Sequence, residues 1–119
     1  MAHGILLVLS SDPVTPEADA TYNDWYDNVH LPEILSLAGF TSARRFRVAE
    51  AQLASQGGPG AVRAKFPHRY VAVYEVEASD VAKAAESLGA ASPTLRMSDA
   101  LDKAGLTAVL LEQISSLGG

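Results

Sequence analysis

The chain has no cysteine among its 119 residues. That absence excludes a disulfide scaffold, a thiol nucleophile and any Cys-ligated zinc or iron–sulfur centre. Basic residues are scarce: nine Lys and Arg stand against fourteen Asp and Glu, a net charge of −5. Such a balance argues against a general nucleic-acid binder, whose footprint is a basic face. No long apolar run is present near the start. Ile5 to Leu9 has no Lys or Arg before it, and it is too short for a signal-peptide core or a membrane span. The expectation is a soluble, cytoplasmic protein with no membrane partner. His3, His30 and His68 are far apart and show no His-x-x-x-His spacing, so no metal site is read. What is abundant is apolar: 48% of residues against 19% charged. This excludes global disorder and fits one domain over residues 1–119.

The charges are segregated. Residues 1–43 carry six acids and no Lys or Arg, whereas residues 44–69 carry six bases and one acid, Glu50. Either the two segments pair in the fold, or the basic one serves an anionic ligand.

Gly4 to Ser10 reads as a buried strand, apolar on both faces. Thr15-Pro16-Glu17 opens a helix, with Thr15 able to cap and Pro16 at the first position. Ala18, Tyr22, Trp25, Tyr26, Val29 and His30 then fall on one arc of the helical wheel. Pro32 kinks or restarts this helix, and Gly39 closes its second piece. Phe40 to Val48 alternates as a strand, with Phe40, Arg44 and Phe46 on one face and Arg45 and Arg47 on the other. A long connection covers about 49–67 and contains the cluster Gly57 to Gly60, which lacks a phosphate-loop pattern. His68 to Val76 is a β-branched and aromatic strand. Ser79-Asp80 caps a second helix that closes near Gly89 and Pro93, Leu95 to Lys103 reads as a short extra helix, and Leu106 to Ile114 is a last strand.

The order β-α-β-β-α-β specifies an α+β, ferredoxin-like domain: a four-stranded antiparallel sheet with both helices on one face. The first and last strands are apolar on both faces, so the second sheet face would be an exposed apolar patch. A second copy packed sheet to sheet covers it, and a homodimer is expected.

The densest chemistry lies in Tyr22-Asn23-Asp24-Trp25-Tyr26-Asp27-Asn28-Val29-His30-Leu31-Pro32-Glu33. Trp25-Tyr26-x-x-x-His30-x-Pro32 at the end of the first helix resembles the EthD-like branch of the dimeric α/β-barrel superfamily. Arg44-Arg45-Phe46 after Gly39-Phe40, and Tyr70 to Glu75, sit where that branch has comparable segments, so the resemblance spans nearly the whole chain. It implies a dimer whose two sheets form a barrel, with a pocket between sheet and helices in each subunit. It also implies a choice of chemistries, among them cofactor-free oxygenation, lactone isomerisation, polyketide cyclisation and haem-related reactions. His30 is the acid–base residue it implies, and Trp25 and Tyr26 shape the pocket.

The residues support a similar reading. An imidazole exchanges protons near neutral pH without large tuning, and Tyr22 and Tyr26, on the same helix arc, can hydrogen-bond a substrate oxygen. The alternative for His30 is a boundary residue bonded to a free carbonyl near the kink. Trp25 would pack on the substrate or simply on the core. Tyr70 and Tyr74 share a strand face with His68, which meets either the pocket or the dimer partner. If the Phe40–Phe46 face is the core face, Arg44 points inward, where it pairs with Glu33 or Asp24 or clamps a substrate carboxylate. The expected catalytic residues are thus His30, Tyr26 and Tyr22, and the expected substrate-binding residues are Trp25, Arg44, Tyr70, Tyr74 and Phe46. The expected ligand is a small apolar carbonyl or phenolic compound, handled without a cofactor in isomerase, cyclase or lyase chemistry. The alternatives are a cofactor-free or haem-dependent monooxygenase and a non-catalytic dimer that binds a hydrophobic metabolite.

Overall fold

The computed structural model describes residues 2–10, 13–50, 68–78, 81–101 and 106–118. Most of the 49–67 connection, the Ser79-Asp80 cap and the end of the 95–103 segment lie outside the described residues. The elements run β1 (Ala2–Ser10), a 3-10 turn (Pro16–Ala18), α1 (Asp19–Trp25), a π-helical turn (Tyr26–His30), α2 (Leu31–Leu35), β2 (Phe40–Arg47), β3 (Tyr70–Ala78), α3 (Val81–Ala91), a 3-10 turn (Ser92–Thr94) and β4 (Thr107–Glu112). The sheet has the order β2-β3-β1-β4 with every neighbouring pair antiparallel. This is the ferredoxin-like arrangement expected from the element order. Beyond α3, residues 95–101 form turns and irregular chain in place of the expected extra helix. Among the described residues, no helix is long and apolar enough to cross a membrane.

The first helix begins less tightly than its sequence suggests. Thr15 has an extended backbone at the N-cap, but its side chain makes no capping bond, and the first turn is 3-10. Pro32 does not break the helix. Its ring crowds the carbonyl four residues earlier and it donates no hydrogen bond, and the preceding turn widens to absorb this: the Leu31 N–H bonds back five residues to the Tyr26 carbonyl. The extra residue of a π turn re-aims the side chains around it, which is why such turns recur at functional sites. After α2 the chain reverses at Gly39, whose φ of +92° suits glycine, and a Cβ there would lie 3.2 Å from the Ala84 Cβ.

Strand β2 contains an irregularity that decides the fate of its arginines. Phe40 pairs with Val76 and Ser42 with Glu75, a register shift of one residue between them. A one-residue slip exchanges the two faces of a strand. Phe40 is buried, but past the bulge Ala43 and Arg45 pair with Tyr74 and Ala72 on the helix side, and Arg44 and Phe46 turn outward. The inward arginine is therefore Arg45, not Arg44.

The core lies between the sheet and the helices. Tyr22, Trp25, Tyr26 and Ile34 from the first helical segment pack against Phe40, Tyr70, Tyr74 and Val76, with Val81 and Ala84 of α3 beside them. Gly4 lets α3 and β4 approach β1, since a Cβ there would sit 2.3 Å from the Leu111 carbonyl oxygen. By the register, the opposite face carries Ile5, Leu7 and Leu9 of β1, Val71 and Val73 of β3, and Val109 and Leu111 of β4. An ion pair, Arg44–Glu75 at 3.1 Å, and a contact of His3 Nδ1 with Glu77 at 3.2 Å border them. Among the described residues, no helix covers this face.

Candidate functional site

A cavity of about 180 Å3 lies between the sheet and the helices. Its floor is apolar sheet, including Leu6, Val8 and Ala108, and its walls include Trp25, Tyr26, His30 and Tyr74. Leu95, Met97 and Leu101, from the chain after α3, close the remaining side. This segment is fastened to the first helical region. The Trp25 indole N–H donates to the Arg96 carbonyl at 2.7 Å, and the Arg96 backbone N–H donates to Glu33 Oε1 at 2.9 Å. Helix residues eight apart thus tie down one strap, and the strap supplies the apolar lid.

The polar atoms in this cavity are few. His30 stacks on Trp25 with ring centres 4.8 Å apart and meets the edge of Tyr26 at 5.1 Å. Its Nδ1 is buried and has no hydrogen-bond partner among the described residues. Burial lowers its pKa below the usual histidine value, and the nearby Glu33 carboxylate offsets this only in part. At neutral pH the imidazole is therefore an uncharged base. Tyr74 donates weakly to the Tyr26 hydroxyl at 3.4 Å, which leaves the Tyr26 hydrogen to be donated elsewhere. Burial pushes the Tyr26 phenol up to about 12 and raises Tyr74 as well. Both remain neutral donors across the physiological range.

Behind the cavity, Arg45 reaches into the aromatic cluster. The Arg45 guanidinium lies 4.3 Å from the centre of the Tyr26 ring and 5.6 Å from those of Tyr22 and Tyr70. It donates to Asp27 Oδ1 at 2.9 Å and Asn23 Oδ1 at 2.8 Å. The sequence signals its charge but not its direction, which the β2 bulge sets.

The candidates separate into four places. His30, Tyr26, Trp25 and Tyr74 meet in the cavity. Tyr22 is wholly buried beside it, its hydroxyl sharing a 2.6 Å hydrogen bond with Ser10, so its polar end is committed to the core. Tyr70 packs 5.3 Å from Tyr22, and its hydroxyl donates to Asp19 at a separate polar groove. Arg44 and Phe46 lie on the outer sheet face. Arg44 is paired with Glu75, not with Glu33 or Asp24, and Phe46 is half exposed. Sequence reasoning missed Leu95, Met97 and Leu101, because an irregular segment has no period from which its inward side can be read. The expected match of acidic and basic segments holds at Arg45–Asp27, while Arg44 finds its acid on β3.

A haem, one of the groups implied by the resemblance, does not fit these residues. Cofactor and drug-sized sites usually occupy about 300–1,000 Å3, well above this cavity, and among the described residues its lining offers no cationic side chain for the haem carboxylates.

Comparison with solved structures matches the fold. An ethyl tert-butyl ether D (EthD) family protein from Bacillus halodurans C-125 superposes with a TM-score of 0.56 over 96% of this chain and 100% of its own, at 17% identity. The chain has the fold of an EthD family protein. A Shewanella loihica PV-4 protein described provisionally as a monooxygenase aligns with a TM-score of 0.46 and 13% identity over 99% of each chain. No protein-family model and no curated protein matches the sequence.

Proposed function

We propose that this protein is an enzyme that moves a proton on a small, uncharged ring compound bearing a carbonyl or enolic hydroxyl, without a cofactor. The observation that carries this reading is His30, which lines a mainly apolar cavity and whose Nδ1 is buried with no hydrogen-bond partner among the described residues. A buried polar atom without a partner costs about 1–3 kcal/mol, a cost that a ligand hydrogen-bonding to it removes. The size sets the ligand class. An apolar cavity of roughly 150 Å3 accepts benzene, so about 180 Å3 suits one substituted ring. Neutral imidazole takes the proton from the carbon beside the carbonyl, and the bond electrons move onto the carbonyl oxygen. The Tyr26 hydroxyl, itself accepting from Tyr74, donates to that developing enolate. Return of the proton from His30 to a different carbon completes an isomerisation, and a cyclisation or elimination can begin from the same enolate. The reading includes pairing of two copies through the open sheet face, because an apolar patch of that kind marks an interaction surface.

The test uses the single tryptophan, which lines the cavity. Phenol should quench Trp25 fluorescence saturably, whereas benzoate, a charged ring of similar size, should not. Cyclohexanone in D2O should exchange its α-hydrogens at least ~100-fold faster than in buffer, the usual worth of a positioned base. His30→Gln should abolish this exchange and Tyr26→Phe should slow it. Exchange at the buffer rate while cyclohexanone is bound would reject the acid–base role.

A further inference from the structure

The basic stretch from Arg44 to Arg69 meets different fates in the fold. Arg44 is neutralised by Glu75 on the outer sheet face, and Arg45 by Asp27. Arg47 is different. Among the described residues it makes no ion pair. It lines an open groove of about 260 Å3 together with Asp19, Asn23, Arg45, Arg69 and Tyr70. The groove is built around the Tyr70 ring. Arg47 is the cross-strand partner of Tyr70, and Arg45 lies two residues earlier on the same strand face. The Arg45 guanidinium sits 5.6 Å from the centre of that ring and the Arg69 guanidinium 5.5 Å. The backbone beneath them is fixed, since the Arg69 N–H donates to the Ser10 carbonyl and the Arg69 carbonyl accepts from the Val48 N–H, both at 2.9 Å.

Three guanidinium groups thus gather in one groove of a chain whose net charge is −5. Among the described residues a single carboxylate, Asp19, shares the lining, and it accepts the Tyr70 hydroxyl. The Asn23 amide oxygen takes Arg45 at 2.8 Å, and its nitrogen donates to the Asp19 carbonyl at 2.9 Å. These acceptors are engaged within the lining, whereas the Arg47 guanidinium brings N–H donors in a rigid fork with no carboxylate among the described residues to meet them. Like charges held side by side repel, and an anion between them removes that repulsion. The fork matches the oxygens of a phosphate or carboxylate. Phe46, half exposed, adds an apolar edge to the same groove. The groove and the His30 cavity share no lining residue, so a ligand here is independent of the proton-transfer reading.

We propose that this groove is a second binding site, for an oxyanion of the phosphate class, free or carried on a small molecule, with Arg47 and Arg69 as its ligands. The test is calorimetric titration of the full chain with inorganic phosphate and with phenyl phosphate, at low salt because screening weakens exposed charges. Both should bind saturably. Arg47→Gln should weaken each by at least ~tenfold, the scale of a lost charge-assisted contact, and Arg69→Gln should do likewise. Arg44→Gln removes the same charge from the opposite sheet face and should stay within ~twofold of the wild type. Arg47 is exposed, so its variant should keep the circular dichroism spectrum and urea midpoint of the wild type. His30→Gln should bind phosphate unchanged, which separates this site from the cavity. Tighter binding of phenyl phosphate assigns a carried phosphate whose ring meets Phe46, and equal affinities assign the free ion. No saturation by ~10 mM phosphate, or equal losses in Arg44→Gln and Arg47→Gln, overturns the site.

Discussion

Arg45 holds its guanidinium 4.3 Å from the centre of the Tyr26 ring while Nη1 donates to Asp27 at 2.9 Å. Its neighbour Arg44 makes an ion pair of similar length, 3.1 Å to Glu75, on the opposite face. The two pairs should differ in worth. The Arg45 side chain is only 13% exposed, against 62% for Arg44. Arg45→Ala removes a cation over aromatic rings and strands the Asn23 and Asp27 acceptors, though Asp27 is half exposed and water meets part of its need. We expect a loss of about 1–3 kcal/mol. Arg44→Ala should cost less than about 1 kcal/mol, the usual ceiling for an exposed pair. Urea denaturation of both variants checks this, and equal losses would contradict the assignment of faces.

That contrast shows where the sequence was readable and where it was not. Element order, the double-sided apolar character of β1 and β4, and the gathering of Trp25, Tyr26 and His30 on one helix face were all legible, because each rests on a period. The direction of Arg44 and Arg45 was not. Alternation placed both arginines relative to Phe40, but the bulge between Phe40 and Ser42 adds one residue and reverses every side chain after it. Nothing in Phe40-Thr41-Ser42 announces a bulge. The π turn was half legible: Pro32 signalled a disturbance, while its resolution as a widened turn depends on the packing around it. Tyr22 shared the helix arc of the site residues, yet Ser10, distant in sequence, claims its hydroxyl.

His30 makes stability depend on pH in a defined direction. Its pKa in the folded protein lies below the unfolded value near 6.5. As pH falls through that value the unfolded chain takes up a proton that the folded protein resists, so stability falls with decreasing pH until the folded pKa is passed. The wild type should therefore lose stability through this group as pH falls below about 6.5. His30→Gln should show a shallower loss over the same interval in urea titrations at several pH values, while the proton-transfer activity of the wild type should persist at pH 6.5.

Gly4 should tolerate no side chain. A Cβ at this position would lie 2.3 Å from the Leu111 carbonyl oxygen, which belongs to the backbone and cannot swing away. Gly4→Ala must push β4 from β1 or shift α3, whose Val81 Cγ2 would lie 3.4 Å from the same Cβ. A cost of about 1–3 kcal/mol or more is expected for overpacking of this kind. Hydrogen exchange should locate it, with the amides of Thr107–Glu112 losing protection more than those of β2.

Trp25 should prove to be both wall and fastening. Its indole N–H bonds to the Arg96 carbonyl at 2.7 Å and so holds the segment that brings Leu95, Met97 and Leu101 over the cavity. Trp25→Phe keeps an aromatic wall but removes the donor, leaving a carbonyl unpaired at a cost of about 1–2 kcal/mol and freeing the lid. Phenol binding, followed by calorimetry because the fluorophore is lost, should weaken by about tenfold, equivalent to ~1.4 kcal/mol. Arg96→Ala is the control. It retains the carbonyl that Trp25 uses and the backbone N–H that Glu33 accepts, and deletes only a guanidinium that is 74% exposed. Phenol affinity should stay within about twofold of the wild type, because exposed pairs contribute little. If Arg96→Ala weakens binding as much as Trp25→Phe, the lid is held by the arginine side chain and not by the indole.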